Sequence, residues 1–121
     1  MDSPRVQLIQ KLFELMETNN IARASEELLA HSADEAVFEP HSSHGRVLQG
    51  REELLSFWEG LEGDGAQIRA GAYSFAEEGD SVVVNGWVRT IKDGRLADTQ
   101  SRWVYRFNAE DLVVSARVER A

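Results

Sequence analysis

Glu39-Pro40-His41-Ser42-Ser43-His44 gathers one carboxylate and two imidazoles within six residues. That set suits proton transfer. A carboxylate beside Val37, Phe38 and Pro40 is expected to lose solvent, which lifts its pKa toward a range useful for a general base. Histidine titrates near neutrality, so His41 or His44 can carry the proton onward. The competing use is metal ligation. The spacing is not that of a helical zinc motif and no third strong ligand stands nearby, so no metal site is expected. A solvated polar loop is the plain alternative for the two histidines.

Aromatic residues form the second candidate group. Trp58, Trp87, Trp103 and Tyr105 are spread from the middle of the chain toward its end. On a strand, Ser101, Trp103, Tyr105 and Phe107 share one face, while Gln100, Arg102, Val104 and Arg106 share the other. The first face reads as inward and the second as outward. Packed solid, the aromatic face is simply core. Around a cavity, the Trp103 N–H and Tyr105 O–H are its polar handles, with Leu12, Trp58 and Ser101 as further substrate contacts. Arg89 stands on an otherwise apolar face and needs a carboxylate or a ligand as partner.

Other chemistries lack their residues. There is no cysteine, which removes disulfides, thiolate metal sites and thiol nucleophiles. The histidines are His31, His41 and His44, with no nucleophile elbow near any of them. Gly60-Leu61-Glu62-Gly63-Asp64-Gly65 is acidic and has no lysine, so it is not a phosphate loop, and no cofactor is expected.

These residues need elements to hold them. Ser3 caps a first helix and Pro4 opens it; Val6, Ile9, Leu12, Phe13 and Met16 recur at helical spacing. Ile21, Ala24, Leu28 and Leu29 stripe a second helix that ends near His31-Ser32. Ala36–Pro40 is a short strand stopped by proline, and Arg46–Leu48 a second one. Arg51–Gly60 is a third helix, with Leu54, Leu55 and Trp58 on one side. Four β runs follow: Gln67–Glu77, Ser81–Lys92, Leu96–Asn108 and Leu112–Glu119. Turn residues separate them, Asp93-Gly94 most clearly. Helices first and hairpins after predict an α+β fold, a curved antiparallel sheet packed on three helices.

The 121 residues fit one domain spanning 1–121. With 42% hydrophobic and 28% charged residues, the chain is expected to fold around a real core. The net charge of −8 offers no basic face, so neither nucleic acid nor an anionic membrane is an expected partner. No apolar run is long enough to span a bilayer. The first residues lack the pattern of a secretion signal, and a cytoplasmic location is the default expectation.

Three segments carry a family resemblance: Ala33–Pro40, Gly45–Leu54, and Arg102–Phe107 followed by Leu112–Val114. The chain resembles the nuclear transport factor 2-like superfamily, in its SnoaL-like and ketosteroid-isomerase-like branch. The resemblance implies a cone with a central pocket, lined by the concave sheet and closed by the first helix. It implies a carboxylate base before a proline, which is Glu39 here. The isomerases' two oxyanion donors fall near Leu12 and Trp103. Leu12 has no hydroxyl, and Trp103 offers an indole N–H instead of a carboxyl. The expectation is a cofactor-independent isomerase, cyclase or dehydratase acting on a small, largely apolar molecule. Glu39, His41 and His44 would be catalytic; Leu12, Trp58, Ser101, Trp103 and Tyr105 would hold the substrate. The alternative is a non-catalytic ligand-binding or dimerisation module. A homodimer through the outer sheet face is expected in either case.

Overall fold

The computed structural model describes residues 2–18, 21–39 and 47–120. Within them the order is α1 (Pro4–Glu17), α2 (Ile21–Ala30), β1 (Ser32–Glu39), β2 (Leu48–Gln49), α3 (Gly50–Gly63), β3 (Gln67–Glu78), β4 (Ser81–Lys92), β5 (Arg95–Phe107) and β6 (Val113–Arg120). The Ser3 side chain accepts the Val6 backbone N–H at 3.2 Å, and Pro4 follows it in the first turn. The cap satisfies one of the N–H groups that a helix start leaves free.

The strands form one six-stranded sheet in the order β2-β1-β6-β5-β4-β3. β3 to β6 make the expected antiparallel meander. β1 joins it by pairing parallel to β6. This pairing also explains why β1 starts at Ser32, four residues before the expected Ala36. Ser32 lies opposite Val113, and the Val113 N–H donates to the His31 carbonyl at 2.8 Å. Ser32-Ala33-Asp34-Glu35 has no apolar alternation; its extended form comes from the neighbouring strand, not from its own pattern.

Curvature has a local cause in β3 and β4. The register shifts between Ala72 and Ser74, leaving Tyr73 as an exposed bulge residue. At the same place a Cβ on Gly86 would stand 2.0 Å from the Gly71 carbonyl oxygen. Only glycine permits that approach of the two backbones.

The concave face packs on α1. Val6, Ile9, Leu12 and Phe13 meet Val82, Val84, Val88, Trp103, Tyr105, Phe107 and Val113 in one cluster. Phe13 stands edge-on to Trp103, centroids 4.8 Å apart. Each such buried side chain contributes about 1.5–3 kcal/mol. A second cluster joins Ala36, Phe38, Leu48 and Leu54 beneath α3. Both ends of α1 are tied to the sheet side. Arg5 donates to Asp111 at 2.6 Å and to the Asn108 carbonyl at 3.2 Å, and Arg69 donates twice to the Glu17 carbonyl. No helix of the described residues is long and apolar enough to cross a membrane.

Candidate functional site

Between the helices and the sheet lies a cavity of about 70 Å³. α1 contributes Leu12 and Met16, α2 Ala24, Ser25 and Leu28, and α3 Leu54 and Trp58. The sheet contributes Phe38, Trp103, Tyr105, Ala116 and Val118. Each arrives by the periodicity of its element. Leu12 and Met16 are one turn apart on α1, as are Ala24 and Leu28 on α2 and Leu54 and Trp58 on α3. Trp103 and Tyr105 alternate inward on β5, opposite Val118 and Ala116 of β6. Leu12, Ala24, Ser25, Phe38, Leu54, Trp103 and Tyr105 are buried, whereas Met16, Leu28, Trp58 and Val118 are half-buried.

None of these side chains carries a charge. The polar atoms available are the Trp58 and Trp103 indole N–H groups and the hydroxyls of Ser25 and Tyr105. Tyr105 is 4% exposed, and burial alone pushes its phenol pKa well above the usual tyrosine value. The phenol is therefore neutral and able to donate a hydrogen bond. No hydrogen-bond partner for it is found among the described residues. Its cross-strand neighbours are Val82 and Ala116, which offer no side-chain acceptor.

The outward set is confirmed on β5, where Arg102 and Arg106 are exposed. Of the expected substrate contacts, Leu12, Trp58, Trp103 and Tyr105 line the cavity together. Ser101 shares their face and is fully buried, but it stands beyond the cavity, its hydroxyl 3.4 Å from the Thr99 carbonyl. Glu39 is not brought to the cavity. Phe38 points inward, so Glu39 points outward. It lines a hollow of about 420 Å³ on the convex face with Val37, Val47, Val104, Arg106 and Arg117. His41 and His44 lie outside the described residues, as do Pro40 and the loop between them. Arg89 finds its partner in Asp98, with two hydrogen bonds of 2.8 and 3.1 Å. The hydrogen bond from Arg89, more than the bare charge, lowers the Asp98 pKa.

Sequence reasoning read Met16, Ala24, Leu28 and Leu54 only as apolar helix faces, and it did not assign Ser25, Phe38 or the β6 pair Ala116 and Val118 to the site. A signal for β6 was available: Ala116 and Val118 alternate with Arg117 and Glu119. Ser25 had none, since a serine beside a helical stripe looks like surface. Among the described residues no group of three His, Cys, Asp or Glu is placed to hold a metal ion.

A helical layer under a curved six-stranded sheet, with a cavity between them, defines an α+β cone protein. Residues 9–116 match the SnoaL-like domain, and the chain belongs to that family. The fold recurs in solved structures. An NTF2-like protein of unknown function from Burkholderia pseudomallei superposes with a TM-score of 0.80 at 21% identity, covering 99% of this chain and 92% of that one. TerC, co-crystallised with polyporic acid, gives 0.78 at 17% identity, covering 98% and 92%. A putative SnoaL-like polyketide cyclase from Jannaschia sp. CCS1 gives 0.74 at 17% identity, covering 98% and 89%. No curated protein matches the chain.

Proposed function

We propose that this protein binds a small, neutral, largely apolar molecule in the cone cavity. The observation that carries the reading is the wall itself, which among the described residues holds aromatic and aliphatic side chains, two hydroxyls and no charge. An ionised ligand would leave water with no counter-charge to receive it, at a cost of several kcal/mol. A neutral apolar ligand gains about 25 cal/mol per Å² buried. Size narrows the class. A dry cavity of about 150 Å³ is enough for benzene. At about 70 Å³, this one takes a small ring only if the half-buried Met16 or Trp58 moves aside. Met16 is suited to that, having three flexible bonds. The co-crystal of TerC with polyporic acid supports small-molecule binding as a use of this fold.

The second reading is proton-transfer catalysis with Glu39 as base and His41 or His44 assisting. What favours it is the likeness to a putative polyketide cyclase. What weighs against it is the place of Glu39 on the convex side of the sheet.

One titration separates the two. Cyclopentanone and cyclopentanecarboxylate are added to the protein while the indole N–H signals of Trp58 and Trp103 are followed by NMR. The ketone should shift both signals and the carboxylate neither. Ala24→Leu fills the cavity from a helix that tolerates leucine and should abolish the shifts with the fold intact. Glu39→Gln should leave them unchanged. Indole signals that ignore the ketone would sink the binding reading. If a turned-over substrate is found, a loss of about 10²–10⁴ in rate for Glu39→Gln would establish the catalytic one.

A further inference from the structure

We infer that the hollow on the convex face, beside Glu39, is a second binding site, and that it takes a monocarboxylate with a small apolar body. The sheet stands between this hollow and the cavity, so the two sites are independent.

Charge points to an anion. The chain carries a net charge of −8, yet the outward side of β5 and β6 gathers the guanidinium groups of Arg102, Arg106 and Arg117. Two of them share one carboxylate. Arg102 donates to one Glu119 oxygen at 3.4 Å, and Arg117 donates to the other. Arg106 has no acid partner among the described residues; Ser81 and Ser115 face it across the sheet. Glu39 lies opposite Arg117 in the strand register, but the ion pair of Arg117 is with Glu119. Three arginines against Glu39 and Glu119 leave one positive charge in excess. A hollow with protein walls strengthens the field of such a charge.

Shape supplies the rest. Val37, Val47 and Val104 line the same hollow as Arg106 and Arg117. Val37 and Val104 are half-buried and Val47 is 55% exposed, so an apolar body laid on them removes their surface from water. At about 420 Å³ the hollow has the size of a small-molecule site. A carboxylate matches the guanidinium fork with two parallel hydrogen bonds, and the Ser115 hydroxyl can donate to it as well. Its single charge offsets the single excess. A phosphate would bring a second charge against Glu39, and a neutral molecule would gain nothing from Arg106.

The experiment uses three probes at neutral pH. Cyclopentanecarboxylate has charge and ring, cyclopentylmethanol the ring alone, and acetate the charge alone. NMR follows the backbone amides of Val104, Ser115 and Arg117 together with the Trp58 and Trp103 indoles. Cyclopentanecarboxylate should shift the three amides to saturation and leave the indoles in place. The other two probes should bind at least about tenfold more weakly. Arg106→Gln, at an exposed position, should keep the fold and weaken the ring acid about tenfold. Glu39→Gln removes the opposing charge and should tighten it about two- to threefold. Acetate or the alcohol binding as well as the ring acid, or Arg106→Gln leaving its affinity unchanged, would overturn the inference. So would amides that ignore every probe, the result expected where a second copy of the chain already covers the hollow. The cavity is judged separately, from the indoles and cyclopentanone, so either site can fail alone.

Discussion

In alkali Tyr105 must ionise inside an apolar wall, and that has a measurable consequence. The raised pKa means the folded protein keeps a proton that the unfolded chain releases near pH 10. Stability from this group is fully present below that pH and is lost as pH rises toward the folded value. The slope is about 1.4 kcal/mol per pH unit once the unfolded phenol has ionised. Urea unfolding between pH 9 and 11 should show wild type losing stability faster than Tyr105→Phe; parallel curves would contradict the burial of the phenol. The inward turn of Tyr105 was legible from alternation along Ser101, Trp103, Tyr105 and Phe107. The outward turn of Glu39 was equally legible, since Ala36 and Phe38, one small and one large apolar residue, hold the inward parity of β1. Resemblance to a carboxylate before a proline pointed the other way. A motif gives a residue type near a place, whereas strand parity decides which side of the sheet it occupies.

The elements owe their shape to backbone contacts as much as to side-chain pattern. Gly86 shows this best. Its place on the buried face of β4 reads as a strand weakness in sequence, yet any Cβ there would collide with the Gly71 carbonyl oxygen at 2.0 Å. Backbone cannot swing away as a side chain can. Gly86→Ala should therefore destabilise the protein by about 2–4 kcal/mol, measured by urea unfolding. The same change at Gly60, where nothing lies within 4 Å, serves as the control and should be neutral or stabilising. Equal effects at both sites would mean that the β3–β4 crossing is not tight. The helices and the meander were legible because each buries one periodic face. The start of β1 was not, because Ser32–Glu35 takes its form from Val113 and its neighbours across a parallel pairing far away in sequence. The kink at Tyr73 was hidden for a related reason: a bulge is one extra residue, and alternation on either side of it still looks regular.

At the scale of the molecule, the two faces of the sheet have separate tasks. The concave face supplies the cavity, and the convex face carries half-buried Val37, Trp87, Ile91 and Val104 with no element over them among the described residues. Apolar groups on an open face favour a partner. We propose that the partner is a second copy of this chain. A standard interface covers about 800 Å² per protomer, a modest share of the 7134 Å² this chain exposes. The ion pairs Arg89–Asp98 and Arg102–Glu119 lie on the same face and would form a polar surround for Val104 and Trp87. Sedimentation at micromolar concentration should give the mass of a dimer. Val104→Asp, which places a charge in the middle of that face, should give a monomer. Because Val104 and the cavity lie on opposite sides of the sheet, the monomeric variant should still bind cyclopentanone with wild-type affinity. A monomer mass for the wild type would end the pairing proposal. A dimer that loses ligand affinity when split would show instead that the cavity depends on the partner, and that the two faces are not independent.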